Sequence, residues 1–387
     1  MILEPQLIEE LSGLESLGKQ LAEEELLGVD IEADSLHHYF PKVCLIQIST
    51  NQHTFVIDPL AIQTIDPLRP LFSSHKTKKI FHDANYDLRS LFRDFSIETN
   101  NIFDTMVASQ LIGEKEPGLS AVLKKRFGIH LNKKYQRSNW SKRPLPRNML
   151  IYAGHDTAHL IRLCRALERE LKSKGRLDWH EEECKRLCVE CAQGGENDGR
   201  RRQPDSDCLL RRFKGARSME PRDLGILESL LLFREARAMQ EDRPPFRLFP
   251  NHVIKELVGK KPANRAALSE ISGLSATFMK RYAGGALEAI QRGLELPEQC
   301  LPSFSKPKRL PWAPKKKARL KRLKAWRELK AGQLKIEPGL ICNNVLLEAL
   351  ADDNPKHPAD LKAICVMKKW QRKSFGKEIV NVLQQIS

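Results

Sequence analysis

A β-strand that carries two acids on one face cannot be packed like an ordinary core strand. Residues 28–50, GVDIEADSLHHYFPKVCLIQIST, read as such a strand followed by its hairpin partner. Side chains alternate along a strand, so Asp30 and Glu32 point to one side while Val29 and Ile31 point to the other. Neighbouring carboxylates repel and are costly to desolvate, so the face that holds them is either open to solvent or built around a cation. The pair alone does not choose between a solvated edge strand and a metal site.

Three runs, LLGVDIEA, VCLIQIST and HTFVIDPL, are short, apolar or alternating, and separated by turn residues, which predicts an antiparallel meander. A helix-like stretch around residues 5–25 precedes them. KKIFH (78–82) predicts a fourth strand, ANYDLRSLFRDF (84–95) a helix and NIFDT (101–105) a fifth strand, with helices filling most of 106–172. Strands first, then helices alternating with further strands, is the pattern of a mixed α/β layer fold.

The chain has 387 residues, more than one domain of about 100–200 residues needs, and two breaks divide it. QGGENDGRRRQPDSD (193–207) loses apolar periodicity, and LPSFSKPKRLPWAPKKK (301–317) carries four prolines. Between them, LGILESLLLFREARAMQE is an amphipathic helix pattern stopped by RPPF (243–246). The expected order is an α/β domain over 1–172, a helix and linker over 173–214, an all-α domain over 215–296, a Pro-rich basic linker over 297–314 and a second all-α basic domain over 315–387.

Residues 301–387 hold 20 Lys/Arg against 7 Asp/Glu, a net of +13, which leaves 45 against 42 in the first 300 residues. A basic module on a near-neutral body points to a polyanionic partner, most often nucleic acid. Lys306 to Arg327 contains eleven Lys/Arg and no acid, with Trp312 and Trp326 among them. Within it Lys315, Lys316, Lys317 and Arg319 are candidates for neutralising phosphates, and Trp326 for stacking on an unpaired base; the bland alternative is a solvated helix face with a core tryptophan. No apolar run approaches 18 residues and no secretion signal is evident, so a membrane span is not expected. Nine scattered cysteines fit a reducing compartment, and the expected location is the cytoplasm.

Further residues carry chemistry. Asp87 sits one turn into the helix after the fourth strand, and Asp156 follows Tyr152 at a spacing of four, which places the two on one helix face. Asp30, Glu32, Asp87 and Asp156 form an all-oxygen ligand set of the kind that suits Mg or Mn. Two such ions activate a water and stabilise a leaving oxygen in phosphoryl displacement, and a tyrosine hydroxyl nearby orients that water.

The segments around these residues resemble the DEDDy family of 3′–5′ exonucleases, and over nearly the whole chain the ribonuclease D family. The resemblance rests on Asp30-x-Glu32, on Asn85-Tyr86-Asp87 within KKIFHDANYDLRSLFRDF, on Tyr152-x-x-x-Asp156, and on YFPKVCLIQIS, NIFDTMVASQLIG and YQRSNWSKRPLP. DRPPFRLFPNHVIKEL and ISGLSATFMKRYAGGALEAIQRG are similar to the helical nucleic-acid-binding module called HRDC. The sister subclass carries a histidine where this chain has Ile151. The resemblance implies a ribonuclease H-like α/β domain followed by two HRDC-type all-α domains. It implies Asp30, Glu32, Asp87 and Asp156 as ligands of two Mg or Mn ions, and Tyr152 as the water-positioning residue. It also implies 3′–5′ hydrolysis of RNA with a single-stranded 3′ end to nucleoside 5′-monophosphates, with tRNA precursors as substrates and a monomer as the acting species. The alternatives are a DNA 3′–5′ exonuclease on the same scaffold and a non-catalytic nucleic-acid-binding protein; the latter predicts a missing acid, and all four are present.

Other features have plainer readings. His180, Cys184 and Cys188 form a helical stripe with Cys191 close by, a pattern better explained by a half-buried helix than by zinc, whose structural sites draw ligands from two local turns. Asp104 reads as a cap on the helix that follows it. Asp83 and Asp94 read as surface charges, and His37 and His38 as loop residues.

Overall fold

The computed structural model describes residues 4–193, 206–304 and 314–385. Most of the 193–207 break and part of the 301–317 break, with Lys306 and Trp312, lie outside the described residues. The chain forms two compact units, one comprising residues 1–33, 43–196 and 309–387, the other residues 34–42 and 197–308. Among the described residues no helix is long and apolar enough to cross a membrane.

The first unit is built on a six-stranded sheet: β1 (Gln6–Ile8), β2 (Leu26–Ala33), β3 (Val43–Ser49), β4 (Thr54–Ile57), β5 (Lys78–Phe81) and β6 (Ile102–Asp104), in the order β1-β4-β3-β2-β5-β6. The β2-β3-β4 meander is antiparallel, and β5 and β6 add in parallel beside β2. Residues 6–8, expected as helix, are instead a parallel edge strand on β4. Three residues are too few to show a strand period, and the helix pattern begins only at α1 (Leu11–Leu21).

One face of the sheet is a dry core. Leu27, Val29 and Ile31 of β2 pack with Leu14, Leu17 and Leu21 of α1 and with Leu88 and Leu91 of α2 (Asn85–Phe95). Beyond β6 come α3 (Thr105–Ile112), α4 (Leu119–Phe127), α5 (Arg147–Ala158), α6 (Leu160–Ser173) and α7 (Leu177–Gln193). The other face of β2 receives α5 at close range. A Cβ on Gly28 would stand 2.8 Å from the Thr157 carbonyl, so this approach needs glycine at that position. Gly28, Asp30 and Glu32 share that face, and the approach brings the helix bearing Tyr152 and Asp156 over the strand acids.

The C-terminal helices α11 (Pro314–Leu334), α12 (Asn344–Asp353) and α13 (Lys369–Gln384) share the core of the first unit. The joint runs through α7. Trp179 stacks on Trp370 at 4.4 Å, Glu182 accepts from the backbone N–H groups of Lys369 and Trp370 at 2.7 and 2.8 Å, and Lys368 pairs with Glu183 at 2.6 Å. In the second unit α8 (Pro221–Gln240), α9 (Asn251–Lys260) and α10 (Ala283–Glu295) enclose a separate core. The β2–β3 connection belongs to that unit: His38 Nδ1 lies 2.7 Å from Asp242, and the Tyr39 hydroxyl donates to Glu235 at 3.0 Å.

Candidate active site

The site forms where β2, α2 and α5 converge. Period-two alternation aims Asp30 and Glu32 away from the dry core, and the i, i+4 spacing on α5 stacks Asp156 above Tyr152. One ligand oxygen from each of Asp30, Glu32 and Asp156 can be chosen so that all lie within 4.8 Å of one another. Asp87, in the first turn of α2, is buried and close enough to Asp30 and Glu32 for their charges to interact. The sequence-derived acids are therefore brought together: Asp30, Glu32 and Asp156 line, with Tyr152, His82 and Lys133, a cleft of ≈ 570 Å³, and Asp87 is buried within reach of their charges.

The electrostatics are those of negative charge without a counter-ion. Burial pushes Asp30 up to about 7 and, reinforced by the charge on Asp30, Asp156 to about 8. Glu32 is raised well above its ordinary value by burial and then by Asp30, Asp156 and Asp87; Asp87 is raised by burial and then by Asp30, Asp104 and Asp83. Among the described residues no lysine, arginine or histidine forms an ion pair with any of the four. A divalent cation removes this repulsion, and an all-carboxylate donor set suits a hard ion. The residues present fit that group.

Tyr152 is held by its surroundings. Its ring meets Tyr135 edge-on at 5.9 Å and lies 6.0 Å from Trp140. Trp140 is buried in an arch over residues 130–146 whose far end is fixed by Arg143. That guanidinium donates to both carboxylate oxygens of the fully buried Asp58 at 2.5 and 2.7 Å and to the Cys44 carbonyl at 3.1 Å. Burial, then the charges of Asp156, Glu32 and Asp30, raise the phenol further above its ordinary value, so it is protonated at neutral pH.

Asp104 takes the capping role its sequence position predicts and two positioning roles that were not visible in the sequence. Asp104 caps α3, accepting from Met106 and Val107 N–H groups at 2.8 and 3.2 Å. Its carboxylate also accepts from Asp83 N–H at 3.1 Å and Ala84 N–H at 2.8 Å, which fixes the turn that launches α2 and hence Asp87. The backbone of Asp104 is gripped in turn by α7: His180 Nε2 lies 3.0 Å from its carbonyl, and its N–H donates to Cys184 Sγ at 3.4 Å. The stripe is thus structural, and among the described residues Asp30, Glu32 and Asp156 are the sole grouping able to hold a metal ion. Asp94, read as a surface charge, has a side chain only 7% exposed and accepts from Val43 N–H at 2.7 Å at the start of β3.

The basic C-terminal candidates divide. Lys315 and Lys317 are exposed, whereas Lys316 pairs with Asp352 and Arg319 donates to the Ala351 carbonyl at 2.7 Å. The expectation that Trp326 stacks on a base is overturned. Its ring is buried against Phe375, and Nε1 donates to Glu378 at 3.1 Å, because α11 turns this residue toward the core.

Comparison with known proteins places this geometry. The 3′–5′ exonuclease domain family matches residues 5–172, and the HRDC domain family matches 223–290 and 316–383. Ribonuclease D of Gluconacetobacter diazotrophicus is 30% identical over 381 residues, spanning 97% of this chain and 92% of the relative. Ribonuclease D of Acidiphilium cryptum is 29% identical over 98% of this chain and 93% of its own length. The crystal structure of Escherichia coli RNase D, described as an exoribonuclease involved in structured RNA processing, superposes over 99% of both chains with a TM-score of 0.71 at 21% identity. The catalytic core of RRP6 from Trypanosoma brucei covers 75% of this chain and 79% of its own with a TM-score of 0.63 at 25% identity.

Proposed function

This chain belongs to the ribonuclease D family of divalent-metal-dependent 3′–5′ exoribonucleases, and from that membership we propose how its own residues carry the reaction and which RNA it takes. The observation that carries the reading is the convergence of Asp30, Glu32 and Asp156 at a cleft, with Asp87 buried beside them, where no lysine, arginine or histidine of the described residues pairs with them. These four acids hold two divalent ions, Mg or Mn. When bound, the ions supply the Lewis acidity that makes water a nucleophile near neutral pH and offsets charge on the departing oxygen.

The remaining steps belong to the protein. Tyr152, kept protonated and held by Tyr135 and Trp140, accepts a hydrogen bond from the attacking water and orients it toward phosphorus. The water oxygen gives up a proton to solvent as it bonds to phosphorus, the bond from phosphorus to the 3′ oxygen of the upstream nucleotide breaks, and that oxygen takes up a proton from solvent. The product leaves as a nucleoside 5′-monophosphate. Lys133, exposed on the lip of the cleft, offers a cation to the phosphate backbone.

The cleft suits a single-stranded 3′ end, and we assign tRNA precursors with 3′ trailers as the substrate, in keeping with the structured-RNA role stated for the Escherichia coli protein. Exposed Lys315, Lys317, Lys321 and Lys324 on α11 bind the body of that RNA without reading its sequence. In this reading the acting species is a monomer. Nine free thiols fit the reducing cytoplasm.

Chelation tests the metal assignment. RNA hydrolysis should vanish in excess chelator and return with Mg or Mn but not with Ca, whose looser coordination suits paired-ion chemistry poorly. A comparable rate in Ca, or activity that survives chelation, would count against the assigned site.

A further inference from the structure

Gln47 stands in the middle of β3, fully buried, and neither its Oε1 nor its Nε2 has a hydrogen-bond partner among the described residues. A buried amide left unpaired opposes folding, and such groups in a native protein are explained by a missing partner or a functional role. Its surroundings narrow the choice. Val56, opposite it on β4, and Leu45, two residues along its own strand, are apolar. Ser49, two residues the other way, has its hydroxyl engaged with Thr157 at 2.6 Å and Thr54 at 2.8 Å. In the cluster with Leu45 and Val56, Met149 and Ala153 of α5 bring no polar side chain, and the polar atoms of Trp140, Tyr135 and Tyr152 make no hydrogen bond to Gln47. On the remaining side, directly opposite in the antiparallel ladder, is Asp30. Opposed residues present their side chains on one face with Cβ atoms about 4.5–5.5 Å apart, within reach of an amide.

We infer that Gln47 is a positioning residue for Asp30: its Nε2–H donates to one carboxylate oxygen of Asp30 and so fixes the rotamer that turns the other oxygen into the cleft. The inference rests on the proposed role of Asp30 as a metal ligand. Gln47 does not touch the ion. It acts as outer-shell hydrogen-bond partners of metal ligands generally do, holding the ligand's orientation once the ion is bound. The glutamine is then unpaired only while Asp30 faces no ion, and its desolvation is offset when the site fills.

The test separates a functional orphan from a structural one. Gln47→Met keeps the shape and removes both unpaired atoms. The melting temperature of the metal-free protein should stay the same or rise, because an orphaned polar group is replaced by an apolar one of similar volume. Mn affinity, measured by calorimetry, should nevertheless fall by about 10–100-fold. A glutamine that matters only for packing cannot raise stability and weaken metal binding together. Mn affinity equal to wild type overturns the inference and leaves the metal site standing, whereas a wild-type protein that binds no Mn overturns both. Should Gln47→Met fail to fold, the wild-type protein decides. The Gln47 side-chain N–H resonances should shift on saturation with Mg and stay in place in Asp30→Asn; resonances unmoved by Mg in the wild type overturn the inference.

Discussion

Two clusters in this protein contain the residue types that bind metals, and they differ in what their polar atoms already have. Around His180, Cys184 and Cys191 every side chain is buried, and the first two spend their polar atoms on the backbone of Asp104. Around Asp30, Glu32, Asp87 and Asp156 neighbouring carboxylates repel one another, and no lysine, arginine or histidine of the described residues pairs with them. The first cluster is complete without a ligand, while the second is costly without one. Unsatisfied charge, rather than residue type, marks the functional site, in line with the clustering of strongly perturbed carboxylates at such sites.

The contrast can be broken by mutation. Asp87→Asn should lower turnover of RNA by about 10³-fold, the loss expected when several kcal/mol of transition-state charge stabilisation disappears. Tyr152→Phe should lower it by about 10²-fold with little change in Mn affinity, since the phenol orients water and holds no ion. Steady-state kinetics with calorimetric Mn titration checks both. A Tyr152→Phe enzyme of wild-type rate would remove the tyrosine from the reaction.

A medium effect is expected in the pH dependence of stability. The carboxylates are raised in the folded state above their unfolded values of about 4, so the metal-free native protein holds protons that the unfolded chain releases. The destabilisation is absent below pH ~4 and complete above the highest of the raised values. Through the interval that contains Asp30 at about 7 and Asp156 at about 8, the metal-free melting temperature should therefore fall as pH rises, and the increase on adding Mg should grow. Asp30→Asn should flatten the slope. A melting temperature that climbs across this range would contradict the charge assignment.

The smallest effect belongs to the other cluster. Cys184→Ala should cost about 1–3 kcal/mol of stability through lost packing and the unpaired Asp104 N–H, with no change in metal content and near-normal turnover at low temperature. Loss of bound zinc in this variant would reverse the contrast between the clusters.

How much of this was legible in the sequence depends on whether the signal was local. The acid face of β2 and the Tyr152/Asp156 pair follow from strand and helix periods, and the meander from three well-separated strand runs. Gln47 was hidden because in VCLIQIS it occupies one position of a continuous buried strand, and nothing in that run says which residue lies across the ladder. The second role of Asp104 was hidden for the same reason, since its cap on α3 is local while its grip on Ala84 spans twenty residues. Trp326 misled because a tryptophan in a basic run is equally a base-stacking residue and the inward residue of an amphipathic helix, and only the packing of Phe375 and Glu378 decides. The C-terminal basic module, expected as a second all-α domain over 315–387, shares its core with the sheet unit through Trp179 and Trp370, which no sequence period reveals.

Removal of nucleotides from an RNA 3′ end by the four-acid site is open to one direct test. The direct measurement is a 5′-labelled RNA hairpin with a single-stranded 3′ tail, beside its DNA counterpart, incubated in Mn with wild-type and Asp156→Ala protein. The account predicts a ladder that shortens from the 3′ end of the RNA with the wild type and is absent with Asp156→Ala. A ladder that persists in Asp156→Ala, or RNA that is bound and never shortened by the wild type, would contradict it.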